Sequence, residues 1–240
     1  MDNTIIEKLR DDKHYYGDFG KKFISNSDVG TLLEDPLMFK QRKSVKRAAF
    51  VVGGYYHTYI LEPHKVENFE ISKASSRRTK DYKEQAGDNM LLLQHEADNV
   101  HEMSRTLLND EACYKLVKAG DVEYELPGHG VINGLNWKGK ADIVNRSLGK
   151  VVDLKTTRSV DQFEQSVVSY NYDSQAYVYK QLFGLDLVFI AQEKSTHRFK
   201  VVETKPEWYE SGKDKVDRAC KNFEEFYKYL KPEFYGKTRP

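Results

Sequence analysis

A chain of 240 residues with 39% hydrophobic and 31% charged side chains has room for one sizeable α/β domain and the composition of a soluble globular protein. No run approaches the roughly 20 apolar residues of a membrane helix, and Met1 to Asp12 alternates charged with apolar residues without a signal-peptide core. The net charge of +1 excludes a global basic field, and two distant cysteines, Cys113 and Cys220, exclude a thiolate zinc site, an iron–sulfur cluster and a disulfide scaffold and fit a reducing cytoplasm.

Ser25 to Ser27 followed by Val29, Leu32 and Leu33 predicts a short capped helix ending before Pro36. A longer helix is expected from Lys46 to Leu61, with Phe50, Gly53, Gly54, His57 and Leu61 near one face. Residues 64–80 read as loop. Arg77, Arg78, Lys80 and Lys83 form a candidate DNA-contacting patch there, with a solvated loop as an even alternative. A long amphipathic helix follows from about Tyr82 to Leu108, and a shorter one over Glu111 to Ala119.

The period then changes to two. Val122–Leu126, Gly130–Asn133, Asn136–Asn145 and Lys150–Thr156 read as strands, separated by turns at Gly128, Gly134 and Gly149. Helices are expected over Val160–Ser169 and Asp173–Phe183, then a hairpin of Leu187–Glu193 with Arg198–Glu203. Pro206 opens a last helix running to Leu230. The order predicts one α/β (α+β) domain over 1–240 with a mixed central sheet flanked by helices. Its parts are a mainly helical stretch to about residue 120, a catalytic sheet over about 121–205, and a terminal helix from 206.

The triplet acid-x-Lys occurs four times, at Asp11–Lys13, Asp81–Lys83, Asp153–Lys155 and Glu203–Lys205, so alone it carries little information. Only Asp153–Lys155 is both preceded and split by apolar residues, Val151, Val152 and Leu154, and lies one hairpin away from another strand acid, Asp142. Residues two apart on a strand share a face, so Asp153 and Lys155 project together, and an antiparallel hairpin brings Asp142 beside them. Two carboxylates so placed suit a hard cation such as Mg²⁺ or Mn²⁺, and a lysine beside them can orient water and balance phosphate charge. The competing expectation is a solvent-exposed Asp153–Lys155 ion pair with Asp142 as a turn residue. Gln175 and Tyr179, four apart, share a helical face near Tyr170, Tyr172 and Tyr177; packing is the simpler role for Tyr177. His57 stands in an apolar helix where a structural histidine is commonplace, but Gly53 four residues earlier leaves its face open.

Taken in order, these segments resemble the PD-(D/E)XK nuclease superfamily, in its RecB-like branch with phage exonucleases of the exonuclease VIII type. The segments are Ile24 to Asp28 with Pro36 and Phe39; Gly53 to His57 with Leu61-Glu62-Pro63; Gly139 to Asp142; Val152 to Thr157; and Tyr172 to Gln175 with Tyr179. The likeness spans residues 24 to about 195. It implies a restriction-endonuclease-like core with an N-terminal helical elaboration, in which Asp142, Asp153 and the Leu154 carbonyl bind the metal and Lys155 positions the nucleophilic water. It also implies that His57 completes or neighbours the metal site, and that Gln175 and Tyr179 hold the active-site strand or the DNA backbone. A further acid is expected at Glu123 or Glu125, the choice being open. The implied activity is exonucleolytic hydrolysis of linear duplex DNA, in the (host) cytoplasm, supplying single strands to an annealing protein, with a ring-shaped homo-oligomer as the assembly of related enzymes.

Overall fold

The computed structural model describes residues 3–41, 47–228, 230–231 and 234. The chain begins with three helices, α1 (Asn3–Arg10), α2 (Asp12–Tyr16) and α3 (Asn26–Glu34), the first two unforeseen from sequence. Ser25 caps α3 as expected, Asp28 closing the capping box. Helix α4 (Ala48–Leu61) carries the glycine–histidine segment; the predicted start at Lys46 lies outside the described residues.

The region read as loop contains a 3₁₀ turn, Pro63–Asn68, and a two-residue strand, β1 (Ile71–Ser72). The predicted helix from Tyr82 to Leu108 is two helices, α5 (Lys80–Ala86) and α6 (Gln94–Leu108). Gly87 stops the first at φ +52. The chain then turns so that β2 (Leu92–Leu93) pairs in parallel with β1. The Glu96 carboxylate accepts the Leu93 N–H at 3.0 Å and restarts the helix. Three consecutive leucines, Leu91 to Leu93, cannot share one face of a helix, and all three are buried here.

After α7 (Glu111–Val117) come the strands of the main sheet: β3 (Val122–Ile132), β4 (Leu135–Asn145) and β5 (Lys150–Thr157). Helices α8 (Phe163–Ser169) and α9 (Tyr172–Phe183) cross to β6 (Asp186–Glu193), which is followed by β7 (Phe199–Glu203) and α10 (Pro206–Tyr227). The sheet order is β3-β4-β5-β6-β7, with β5 and β6 parallel and the other pairs antiparallel. Gly128 is therefore no turn. β3 runs straight through it, and a Cβ there would sit 2.7 Å from the Phe183 ring. Pro127 is tolerated because β3 is an edge strand.

Both faces of the sheet are covered, which is why β5 and β6 read as nearly unbroken apolar runs. Val144, Val151 and Phe189 pack with Val178, Val216 and Phe223 of α9 and α10 on one face. Ile143, Val152, Leu154 and Ile190 pack with Tyr56, Ile60, Val100 and Met103 of α4 and α6 on the other. A mixed sheet between helical layers is the fold class expected from sequence. Among the described residues no helix is long and apolar enough to cross a membrane.

Candidate active site

The site forms where two strands part. β4 and β5 pair at Asn145–Lys150, Val144–Val151 and Ile143–Val152, and there the ladder ends. The next opposed residues in that register are Asp142 and Asp153. Instead of a backbone carbonyl, the Asp142 carboxylate takes the Leu154 N–H, at 2.8 Å. A side chain thus satisfies a donor that the split would leave orphaned.

A second irregularity lies on the other side of β4. The pairs Tyr124–Ile143 and Leu126–Ala141 bracket Glu125 opposite Asp142, and Glu125 has φ +48. Such a backbone is costly for a residue with a side chain. Alternation breaks at this point: Ala141 packs under α9 while Ile143, two residues on, packs under α4. The break lets a carboxylate from each strand face the same gap.

His57 of α4 fills that gap from above, its Nδ1 3.3 Å from Asp142 Oδ2. One donor atom each from His57, Glu125 and Asp142 lies within 4.8 Å of the others, a set that can hold a metal ion. Asp153, 2% exposed, reaches the Lys155 ammonium at 2.5 Å through Oδ2. That oxygen is buried without a hydrogen bond of good geometry, leaving lone pairs for a cation. Gln175 bridges the pair: its Nε2 donates to Asp153 Oδ1 at 2.5 Å, and its Oε1 accepts from Lys155 at 3.1 Å. The Lys155 ammonium also sits 4.6 Å from the centre of the Tyr172 ring.

Helix α9 therefore fixes both strands. Gln175 holds the side chains of β5, and Tyr179 donates to the Lys140 carbonyl of β4 at 2.7 Å. Gly139 admits the Tyr179 ring, since a Cβ there would lie 2.8 Å from it. The first turn of α9 is anchored in turn by the buried Asp173, which accepts from Lys215 at 2.9 Å and from Ser211 at 2.8 Å.

Crowded charges shift one another. Burial alone lowers the His57 pKa, but the Asp142 charge and hydrogen bond outweigh it and raise it to about 9. Burial, reinforced by Asp142, raises Glu125 to about 7. Asp142 is held below the ordinary carboxylate value, because His57 and Lys155 overcome its burial. Asp153 is pushed up, burial and the neighbouring Asp142 prevailing over Lys155. Lys155 is raised despite burial by the charges of Asp153 and Asp142.

The cluster opens into a cleft of about 990 Å³ whose walls include Tyr15, Tyr16, Phe50, Gly53, Lys138 and Lys140. Of the residues singled out in sequence, His57, Asp142, Asp153, Leu154, Lys155, Gln175 and Tyr179 converge here. The exposed-ion-pair reading of Asp153 and Lys155 is excluded by their burial. Glu125, not Glu123, is the further acid; Glu123 is engaged by Arg146 at 2.7 Å. The basic patch does not join the site. Arg77 is spent on Glu96, at 2.6 and 2.7 Å, and on the Leu91 carbonyl at 3.0 Å. Arg78, Lys80 and Lys83 are exposed at and before α5 and do not line the cleft. Lys138 went unnoticed in sequence and Lys140 was read only as part of the Gly139–Asp142 segment, although both alternate with Trp137 and Gly139; Tyr15 and Tyr16 give no local signal, because α2 reaches the cleft only through tertiary packing.

A model of the PDDEXK-like domain of unknown function DUF3799 matches residues 36–234. The chain belongs to this family. The PDDEXK-like fold is shared with a solved structure of a candidate exonuclease from Eubacterium rectale, at TM-score 0.65 and 17% identity over 88% of this chain and 85% of that one. A phage-related exonuclease from Haemophilus somnus 129PT aligns at TM-score 0.37 and 12% identity, over 73% of this chain and 95% of its own. No curated protein matches. Membership in this nuclease superfamily makes the cluster at the β4–β5 split the candidate catalytic centre.

Proposed function

We propose that this PDDEXK-like protein is a metal-dependent exodeoxyribonuclease that hydrolyses phosphodiester bonds of linear duplex DNA. The observation that carries the proposal is the convergence of His57, Glu125 and Asp142 donor atoms beside the buried Asp153–Lys155–Gln175 triad. Two carboxylates and one imidazole fit a divalent cation, and Asp153 Oδ2, which meets the Lys155 charge but accepts no hydrogen bond, is a proposed fourth donor. Mg²⁺ and Mn²⁺ both suit the oxygens; the imidazole leans the set toward Mn²⁺. The Leu154 carbonyl is a further proposed ligand.

When bound, the cation supplies a Lewis acid for the phosphoryl oxygen and lowers the pKa of attacking water. The chain's own part is positional. Lys155, fixed between Asp153 and Gln175, directs its ammonium at the water and at charge developing on the phosphoryl group. Gln175 denies Asp153 and Lys155 other rotamers, and Tyr179 keeps β4 at its separation from β5.

Purified protein incubated with linear and covalently closed duplex DNA in Mg²⁺ or Mn²⁺ tests this reading. Loss of the linear form alone supports it, and no cleavage of any DNA overturns it. Cleavage of the closed circle replaces it with a structure-specific endonuclease of the same superfamily. Cleavage absent together with absent Mn²⁺ binding in calorimetry replaces it with a non-catalytic DNA-binding protein. A place in phage-type recombination beside a single-strand annealing protein, and a ring-shaped homo-oligomer, belong to the same proposal; sedimentation of the protein with and without DNA reads the assembly.

A further inference from the structure

The catalytic cleft continues along one face of α4, and that face is built oddly. Phe50, Gly53, Gly54 and His57 follow one another at helical spacing and all line the cleft. Phe50 keeps 63% of its surface exposed, whereas Tyr55 and Tyr56 on the same helix are 1% and 0% exposed. Between Phe50 and His57 the helix presents bare backbone. Glycine inside a helix is unfavourable relative to alanine, so two in succession call for a reason. Packing supplies none. A Cβ at Gly53 would meet nothing within 4 Å, and one at Gly54 would only touch the Phe69 ring, at 3.9 Å. Neither glycine has a positive φ. The remaining use of a missing side chain is close approach of a molecule from outside.

Phe50 is also a divide. Beyond it lies a second groove of about 470 Å³, lined by Arg47, Asn68, Phe69, Asn89 and Met90. The Arg47 guanidinium lies 6.0 Å from the Phe50 ring centre. An exposed aromatic ring with a cation beside it, on the path out of a phosphate-handling cleft, has the chemistry that grips single-stranded nucleic acid by stacking. At 1.5 Å per residue, Phe50 stands about 10 Å from His57 along the helix axis. That is roughly three nucleotide steps for a strand that keeps the stacked 3.4 Å per-strand rise of B-DNA.

We infer that this face of α4 is a nucleotide subsite for one unpaired DNA strand. The sugar–phosphate chain lies on the Gly53–Gly54 floor, and a base about three steps from the phosphate at His57 stacks on Phe50. Stacking needs a free π-face but no particular base, so the subsite grips a separated strand without reading its sequence. The inference rests on the nuclease reading above.

A test walks a single abasic analogue through a short single-stranded tail on linear DNA and measures kcat/KM for wild type and Phe50→Ala. Wild type is expected to lose about tenfold at one position near the third step, and Phe50→Ala to be slow on every substrate and indifferent to the abasic position. A wild type that cleaves equally well with the analogue at every position overturns the inference, as does a dip that survives in Phe50→Ala. In parallel, Gly53→Leu is expected to melt no lower than wild type and to bind Mn²⁺ as wild type does, yet to cleave at least tenfold more slowly. Wild-type rates in Gly53→Leu overturn the glycine floor. If wild type cleaves no DNA in any metal, the nuclease reading itself has failed and the subsite falls with it.

Discussion

The two ends of the five-stranded sheet hold the same kinds of charge and use them in opposite ways. At the end where β5 and β6 begin, Lys150 pairs with Glu203 at 2.9 Å and Lys180 with Asp186 at 2.7 Å, in solvent. The acid-x-Lys triplet on β7 does not even pair internally: Glu203 goes to Lys150, and Lys205 goes to Glu164. At the other end the triplet on β5 is a buried internal pair, wedged against Asp142, His57 and Glu125. Water screens the first set, so each charge there acts on little beyond its partner. The second set has little water, so every charge moves the others, and the resulting pKa values differ in direction from one carboxylate to the next. Burial separates the triplet at the candidate site from a surface one; spacing does not.

The largest break in this comparison is expected from the two lysines. Lys155→Ala should lower turnover by about 10²- to 10⁴-fold, the range for a positioned proton-handling group, while Lys205→Ala should leave turnover and melting temperature unchanged. Near wild-type turnover in Lys155→Ala would remove the β5 triplet from the chemistry. Next in size is metal affinity. Asp142→Asn keeps an oxygen for the Leu154 N–H but gives up its charge, and Mn²⁺ titration should find binding weakened by more than about 100-fold. Glu203→Gln at the solvated end should bind Mn²⁺ as wild type does.

A third effect is pH dependence. His57 near 9 and Glu125 near 7 both carry protons that a cation must displace. Mn²⁺ affinity should therefore rise about tenfold per pH unit between 7 and 9, more steeply below 7, and level off above 9. Calorimetry in buffers of differing ionisation enthalpy should detect the released protons; a flat affinity from pH 6 to 8 is incompatible with these shifts. In the metal-free protein the sign reverses, because there the proton on His57 is what makes the contact. Stability from the His57–Asp142 contact is whole below the ordinary histidine value of 6.5 and is lost as pH rises through about 9. The smallest effect is Tyr179→Phe, which strips one hydrogen bond from the Lys140 carbonyl. It should cost about 1–2 kcal/mol of stability and only a few-fold in rate, read by denaturant melts beside kinetics.

Much of this site was legible because its parts are local. Asp142 and Asp153 flank one hairpin, Asp153 and Lys155 obey strand alternation, and Gln175 and Tyr179 obey helical spacing, so each pair follows from a period alone. What was not legible depends on departures from a period. Glu125 could not be told from Glu123, because the break in alternation at φ +48 leaves no mark in composition. The helix predicted across Gly87 failed for a related reason: the break at Leu91 to Leu93 is set by pairing of Leu92 with Ile71, twenty-one residues earlier, which no local period reports. Gly128 was misread as a turn because its use is a close approach by Phe183 from another element. The basic patch at Arg77 to Lys83 was invisible as structure until Glu96, distant in sequence, was seen to take Arg77.

Glu125 has one consequence on a longer timescale. Its backbone is of the kind that glycine or asparagine adopts at less cost, and its half-buried carboxylate is pushed toward neutrality by desolvation first and by Asp142 second. Drift under selection for folding alone would thus replace this glutamate early. A copy of the gene freed from its enzymatic duty should lose position 125 before it loses the hydrophobic core, and would gain robustness by doing so. On the proposed function, retention or loss of position 125 among related chains would then separate those kept for the reaction from those kept for the fold.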